Sequence, residues 1–123
     1  MATTVKSQTG YVNYVEYAGD TLVLSFTIKP RNAEPIDFTS HSAKMDIKLK
    51  ADDLVPLLTL DSSLGIVLSD GSPNVVATVT SLQTLALGPG KYVYDIEFED
   101  LSGHINTYLS GTITLELSVT DPS

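Results

Sequence analysis

The sequence predicts an all-β fold, an antiparallel sandwich of seven to nine short strands with one helical turn near residues 81–87. Three observations predict it. Residues 91–99 alternate strictly, with Tyr92, Tyr94, Ile96 and Phe98 on one side and Val93, Asp95, Glu97 and Glu99 on the other. A strand with one buried and one wet face requires that period of two. Turn-forming clusters recur at about the 8–12-residue spacing of sandwiches and barrels: Gly19-Asp20, Asp61-Ser62-Ser63, Asp70-Gly71-Ser72-Pro73-Asn74, Gly88-Pro89-Gly90 and Asp100 to Gly103. Only residues 81–87 break the alternation toward a helical spacing.

Each element follows in order. Residues 1–10 are polar and rich in Thr and Ser, an arm; 11–120 form a single sandwich domain, and 121–123 a tail. The first extended segment is 11–17, with Tyr11, Asn13, Val15 and Tyr17 on one face and Val12, Tyr14 and Glu16 on the other. In the second, 21–29, Leu22, Leu24, Phe26 and Ile28 alternate with Thr21, Val23, Ser25 and Thr27. Residues 30–42 are a turn-rich connection, in which Pro35-Ile36-Asp37-Phe38-Thr39 bridges the two sheets. Ala43, Met45, Ile47 and Leu49 then alternate with Lys44, Asp46, Lys48 and Lys50, giving a strand with a basic outer face. Short strands at 57–60, 65–68 and 75–80 come next. Ser81 is the expected N-cap of the helical turn, with Leu82, Leu85 and Ala86 as its apolar stripe. The last run, 104–120, is interrupted at Ser110-Gly111, where a bulge or kink is expected, and resumes with Ile113, Leu115, Leu117 and Val119 inward.

The helical turn before a Tyr-rich strand matches the corner that precedes the sixth strand of immunoglobulin-like domains. There a Tyr hydroxyl bonds back to the backbone, and Tyr92 or Tyr94 is placed to do so. The chain has no Cys and no Trp, so the disulfide and Trp of antibody domains are absent. The expectation is therefore the broader immunoglobulin-like class.

Composition bounds the function. With 123 residues the chain fits one domain, enough to bury about two-thirds of its unfolded surface. A net charge of −8 opposes duplex DNA or RNA and an anionic membrane surface as partners. No apolar run reaches a membrane-spanning length, and the first residues show no signal-peptide core.

Candidate chemistry is thin. His41 and His104 lie in loops with no second ligand or base at a useful spacing, and both are expected to be solvated. No Ser sits in a G-x-S-x-G context. The carboxylates occupy turns and strand exteriors, and no EF-hand loop gathers Asp52, Asp53, Asp61, Asp70, Glu97, Glu99 or Asp100 around calcium. No enzyme, metal or cofactor is expected. Lys44, Lys48 and Lys50 on one strand and Asp95, Glu97 and Glu99 on another are expected to pair across neighbouring strands, each pair contributing ~0.2–1 kcal/mol. Tyr side chains combine apolar area with a polar tip and suit interfaces. Tyr92 and Tyr94 belong to the core, whereas Tyr11, Tyr14, Tyr17 and Tyr108 are the candidate protein-interface residues.

Gly19-Asp20 before an alternating strand, Pro35-Ile36-Asp37-Phe38-Thr39, Ala43-x-Met45-x-Ile47, Pro89-Gly90-x-Tyr92-x-Tyr94-Asp95-Ile96 and Leu109-Ser110-Gly111-Thr112 occur here in one order. In that order, over residues 17 to 119, the chain resembles the small immunoglobulin-like sandwich proteins of tailed-phage virions. These include the N-terminal domains of baseplate upper proteins. The resemblance implies a non-enzymatic structural subunit of a virion, made in the host cytoplasm and assembled on the tail or baseplate through sheet edges and the N-terminal arm. Its implied partners are other virion proteins and further copies of itself. A capsid decoration (cement) protein bound to the major capsid protein, and a carbohydrate- or host-surface-binding module, are the alternatives.

Overall fold

The computed structural model describes residues 10–29 and 36–117. Residues 1–9 of the expected arm, Pro35 of the expected bridge, Val119 and the tail lie outside the described residues. The elements are β1 (Gly10–Tyr11), β2 (Tyr14–Tyr17), β3 (Leu22–Phe26), β4 (Ser42–Lys48), β5 (Leu58–Asp61), β6 (Ile66–Leu68), β7 (Val75–Val79), α1 (Ser81–Leu87), β8 (Gly90–Glu99) and β9 (Ile105–Glu116).

Two sheets form. One has the order β1-β9-β8-β4-β5, with β2 also on β9, and the other the order β3-β7-β6. β1 and β2 run parallel to β9, and the remaining pairs are antiparallel. Taking β3 as B, β4 as C, β5 as C′, β6 as D, β7 as E, β8 as F and β9 as G, this is B-E-D against G-F-C-C′. That is the variable-type immunoglobulin arrangement, and the fold is an immunoglobulin-like β-sandwich.

The alternating residues supply the core. Leu22, Leu24 and Phe26 of β3, Ala43, Met45 and Ile47 of β4, and Tyr92, Tyr94, Ile96 and Phe98 of β8 are all buried between the sheets. Burying each large apolar side chain is worth roughly 1.5–3 kcal/mol, so the period-two pattern dictates both the strands and their inward faces. Phe38 of the β3–β4 connection joins them, wholly buried and stacked on Phe98 at a centroid distance of 4.6 Å. This fits the bridging role expected of its segment.

Buried polar groups brace the ends. The Tyr92 hydroxyl donates toward the carbonyls of Leu87 (2.5 Å) and Gly88 (2.7 Å). Of the two candidates, Tyr92 therefore closes the corner before β8. Tyr94, two residues on, stands where an antibody domain places its second Cys, and its hydroxyl donates to the Val12 carbonyl at 2.8 Å. Asn74, at the end of the turn cluster, is wholly buried. Its side chain accepts from Ile28 N (2.9 Å) and donates to the carbonyls of Ile28 (2.7 Å) and Ile36 (2.9 Å).

Four expectations are corrected. The 11–17 segment is two strands, because its ladder to β9 is interrupted at Val12-Asn13, where the Val12 carbonyl comes over Gly111. The register shift in the last strand falls at Tyr108: Ile96 faces Leu109 while Glu97 faces Thr107. The extra residue lets Tyr108 and Leu109 both turn inward, and Tyr108 packs on Phe98 (5.3 Å) and Phe38 (5.9 Å). Thr80, not Ser81, is the N-cap, in a capping box with Gln83. The helix also buries no leucine stripe. Leu82 and Leu85 are exposed, and the one buried residue is Thr84. Its hydroxyl donates to the Asp20 carbonyl (2.8 Å) and accepts from Gly19 N (2.9 Å). The short helix is thus anchored to the β2–β3 turn by a polar pin, so its apolar positions need not face the core.

Candidate functional site

The site with the most unused chemistry is the outer face of the larger sheet, starting at its edge. The parallel pairing of β1 with β9 sets Gly10 opposite Leu109 and Tyr11 opposite Ser110, and Val12 N donates to Ser110 O at 2.9 Å. The Val12 carbonyl then passes over Gly111, where any Cβ would meet it at 1.8 Å. Gly111 therefore serves a close backbone approach rather than the bulge expected there. Asn13 fastens the crossing from outside, accepting from the Thr112 amide (3.0 Å) and hydroxyl (2.8 Å). β2 resumes with Tyr14 opposite Ile113, Val15 opposite Thr114 and Tyr17 opposite Glu116.

The register to β9 is the same on both sides of this interruption, which preserves the alternation and sorts the four candidate tyrosines. Tyr11 (66% exposed) and Tyr17 (48%) share the outer face with Val15 (63%). Tyr14 points the other way, edge-on to Phe26 at 6.1 Å and 6.5 Å from Tyr94, and Tyr108 packs inward as described. The structure thus sets Tyr11 and Tyr17 on one outer face and keeps Tyr14 and Tyr108 half-buried against the core. Burial raises the phenol pKa of Tyr14, Tyr92, Tyr94 and Tyr108.

The two charged strands are neighbours, as expected. Their register sets Lys44 opposite Glu97, Asp46 opposite Asp95 and Lys48 opposite Val93. On its other side Lys44 faces Asp61, and Asp46 faces Thr59. Lys50 lies beyond the end of β4, and Glu99 faces Ser42. Among the described residues no lysine closes an ion pair within 4.0 Å; the one pair formed joins His104 and Asp100 at 3.4 Å. One register position therefore puts like charges face to face, and the expected ladder of opposite charges is only partly realised.

A continuous row crosses the sheet at that position: Tyr11, Ser110, Asp95, Asp46 and Thr59, each opposite the next. Its Tyr11, Ser110, Asp95 and Asp46 line a half-open cavity of about 240 Å³, together with Lys48, Ala51, Val93, Tyr94 and Gly111. Asp46 Oδ1 accepts from the Thr59 hydroxyl at 2.8 Å. Burial raises the Asp95 carboxyl above its ordinary range; Glu97 and Asp46 add to this, while Lys48 and Lys44 oppose it. Sequence reading missed the confrontation because alternation gives each strand's outer residues but not the register between strands.

The remaining candidates carry less. His104 is solvated beside Asp100. His41 is only half-exposed: its ring packs edge-on against Phe38 at 5.0 Å, and its Nδ1 is buried without a partner. The expectation of a solvated His41 is corrected, because burial of Phe38 draws the following loop inward. No group of three or more metal-ligating side chains occurs among the described residues. A second groove, of about 200 Å³, lies between Leu57 and Leu58 and the Gln83, Ala86 and Leu87 side of α1.

No protein-family model and no curated protein matches this chain. Among solved structures it is similar to that of murine CRIg, at 12% sequence identity and a TM-score of 0.42, over 86% of this chain and 92% of that one.

Proposed function

We propose that this chain is a non-enzymatic structural subunit of a tailed-phage virion, set on the tail or baseplate, that docks through the β1–β2 edge of its larger sheet. The observation that carries the docking is the outward row Tyr11, Val15 and Tyr17, apolar and exposed on an edge strand. Large amphipathic side chains grouped at an edge provide contact area at little conformational cost. The virion setting rests on the resemblance of the ordered motifs. The absence of a placed nucleophile and base in the sequence supports the non-enzymatic reading.

Incorporation tests it. A Tyr11→Ser/Tyr17→Ser double variant changes only exposed positions, so it should fold with an unaltered circular dichroism spectrum and be depleted from purified particles. Undiminished incorporation would refute docking by this edge. Cross-links from Lys48 or Lys91 to tail proteins support the tail or baseplate, links to the shell protein would move the chain to the head, and absence of the chain from particles would end the virion reading.

A further inference from the structure

We infer that the trough across the outer face of the larger sheet seats an arginine side chain of a partner protein, between the carboxylates of Asp46 and Asp95 and the ring of Tyr11. This deepens the docking reading by naming the chemistry of what docks, and it rests on that reading.

Like charges directly opposite on neighbouring strands work against folding, and Asp46 and Asp95 are opposite one another. Lys44 and Lys48, on the same face of β4, offset the two charges in part, but no lysine closes an ion pair with either within 4.0 Å among the described residues. Asp46 is already oriented by Thr59, while the Asp95 carboxylate accepts no hydrogen bond from a described residue. The cavity of about 240 Å³ is far larger than one water needs, about 30 Å³, so it has room for a side chain.

The lining then selects among cations. Two carboxylates are too few for calcium, which takes six to eight oxygens. Lys48 on the wall weakens the general attraction for a diffuse positive ion, so a ligand gains most from directed hydrogen bonds. A guanidinium supplies them in a planar fork and also stacks on an aromatic face such as that of Tyr11. The chain's net charge of −8 steers a basic partner toward it.

The experiment is an amide-resolved NMR titration of the isotope-labelled chain with the peptide acetyl-Gly-Arg-Gly-amide, beside the same peptide carrying citrulline. The arginine peptide should move the amides of Asp46, Asp95 and Ser110 and the citrulline peptide should not. Higher salt should weaken the effect. Asp95→Asn, which folds because it removes one of two like charges, should lower affinity about three- to tenfold, and Asp46→Asn likewise. Asp70→Asn, in the turn between β6 and β7 and outside the lining of the trough, should leave it unchanged. The inference is overturned if Asp95→Asn binds as well as the parent, or if the shifts spread equally over Asp20 and Asp70, which lie outside the lining. It is also overturned if a neutral disaccharide such as maltose moves the trough amides and arginine does not. Failure here with loss of Tyr11→Ser/Tyr17→Ser from particles would leave the docking edge standing without the arginine seat. Undiminished incorporation of that variant would instead remove the docking reading itself.

Discussion

Gly111→Ala strikes the place where two backbones come closest. The added Cβ would lie 1.8 Å from the Val12 oxygen and 2.7 Å from its carbonyl carbon, against about 3.3 Å for a relaxed carbon–oxygen contact. β1 must therefore retreat by about 1.5 Å. That movement breaks the bond from Val12 N to Ser110 O at 2.9 Å and the bond from the Tyr94 hydroxyl to Val12 O at 2.8 Å. It also draws Asn13 away from Thr112. At about 1 kcal/mol for each of these three attachments, the loss is about 3 kcal/mol. An unfolding entropy of about 2.1 cal/mol/K per residue, over 123 residues, converts that into a fall in Tm of about 12 °C. Urea and thermal melts followed by circular dichroism measure the loss, and amide exchange at Val12 and Thr112 localises it. Gly103→Ala is the comparison. Gly103 has φ +87° and nothing within 4 Å of an added Cβ, so it costs only left-handed strain, about 1–2 kcal/mol. If Gly111→Ala costs less than Gly103→Ala, or leaves exchange at Val12 and Thr112 unaltered, the close-approach argument is wrong.

Three further outcomes follow from the buried polar groups and the carboxylates. Tyr92→Phe keeps the ring but removes the donor shared by Leu87 and Gly88; urea melts should show a loss of about 1–2 kcal/mol with an unchanged m-value. Asn74→Ala strips three side-chain hydrogen bonds from a wholly buried position and should cost about 3–5 kcal/mol, and an equilibrium melt showing less than 1 kcal/mol, roughly the worth of one such bond, would deny it a bracing role. For Asp95 the raised carboxyl pKa means that the folded state holds the proton more tightly than the unfolded chain does. Its ionisation therefore opposes folding above the raised value and ceases to matter below the ordinary carboxylate range, about 4. Asp95→Asn should accordingly be more stable than the parent at neutral pH, with the gain fading as pH falls toward that range; a gain that persists in acid would contradict the sign.

Alternation made the sandwich legible. β4, β7 and β8 occupy nearly the spans that their period of two predicts, whereas β3 stops at Phe26, short of the expected 21–29. The corner was legible too, because a helical turn before a Tyr-rich strand has one common use, though only coordinates distinguish Tyr92 from Tyr94. What escaped depends on partners distant in sequence. Gly111 looks like a bulge until Val12, far away in the chain, is seen to cross it. Asn74 looks like a turn residue until Ile28 and Ile36 are seen to converge on its amide. Leu82 and Leu85 have helical spacing, yet Thr84 pins the helix with that stripe outward. The candidate site suffered most, since its central feature is a register, Asp46 against Asp95, and a one-residue slip would have moved every outer side chain to the core.

The groups that brace this fold and the groups that mark its outer face are separate sets. Thr84, Asn74, Tyr92 and Tyr94 spend their hydrogen bonds on backbone atoms. On the outer face, Lys44 closes no ion pair, Tyr17 stands half in solvent, and Asp46 holds only the hydroxyl of Thr59. Lys44→Ser, Asp46→Asn and Tyr17→Ser should therefore each unfold within about 0.5 kcal/mol of the parent. Since Asn can still accept from Thr59, even Asp46→Asn leaves the local geometry intact. Any loss of docking in these variants would then report contact rather than unfolding. A loss well beyond that margin for Lys44→Ser alone would return Lys44 and Glu97 to a structural role, as a cross-strand pair strong enough to fix the register of β4 on β8.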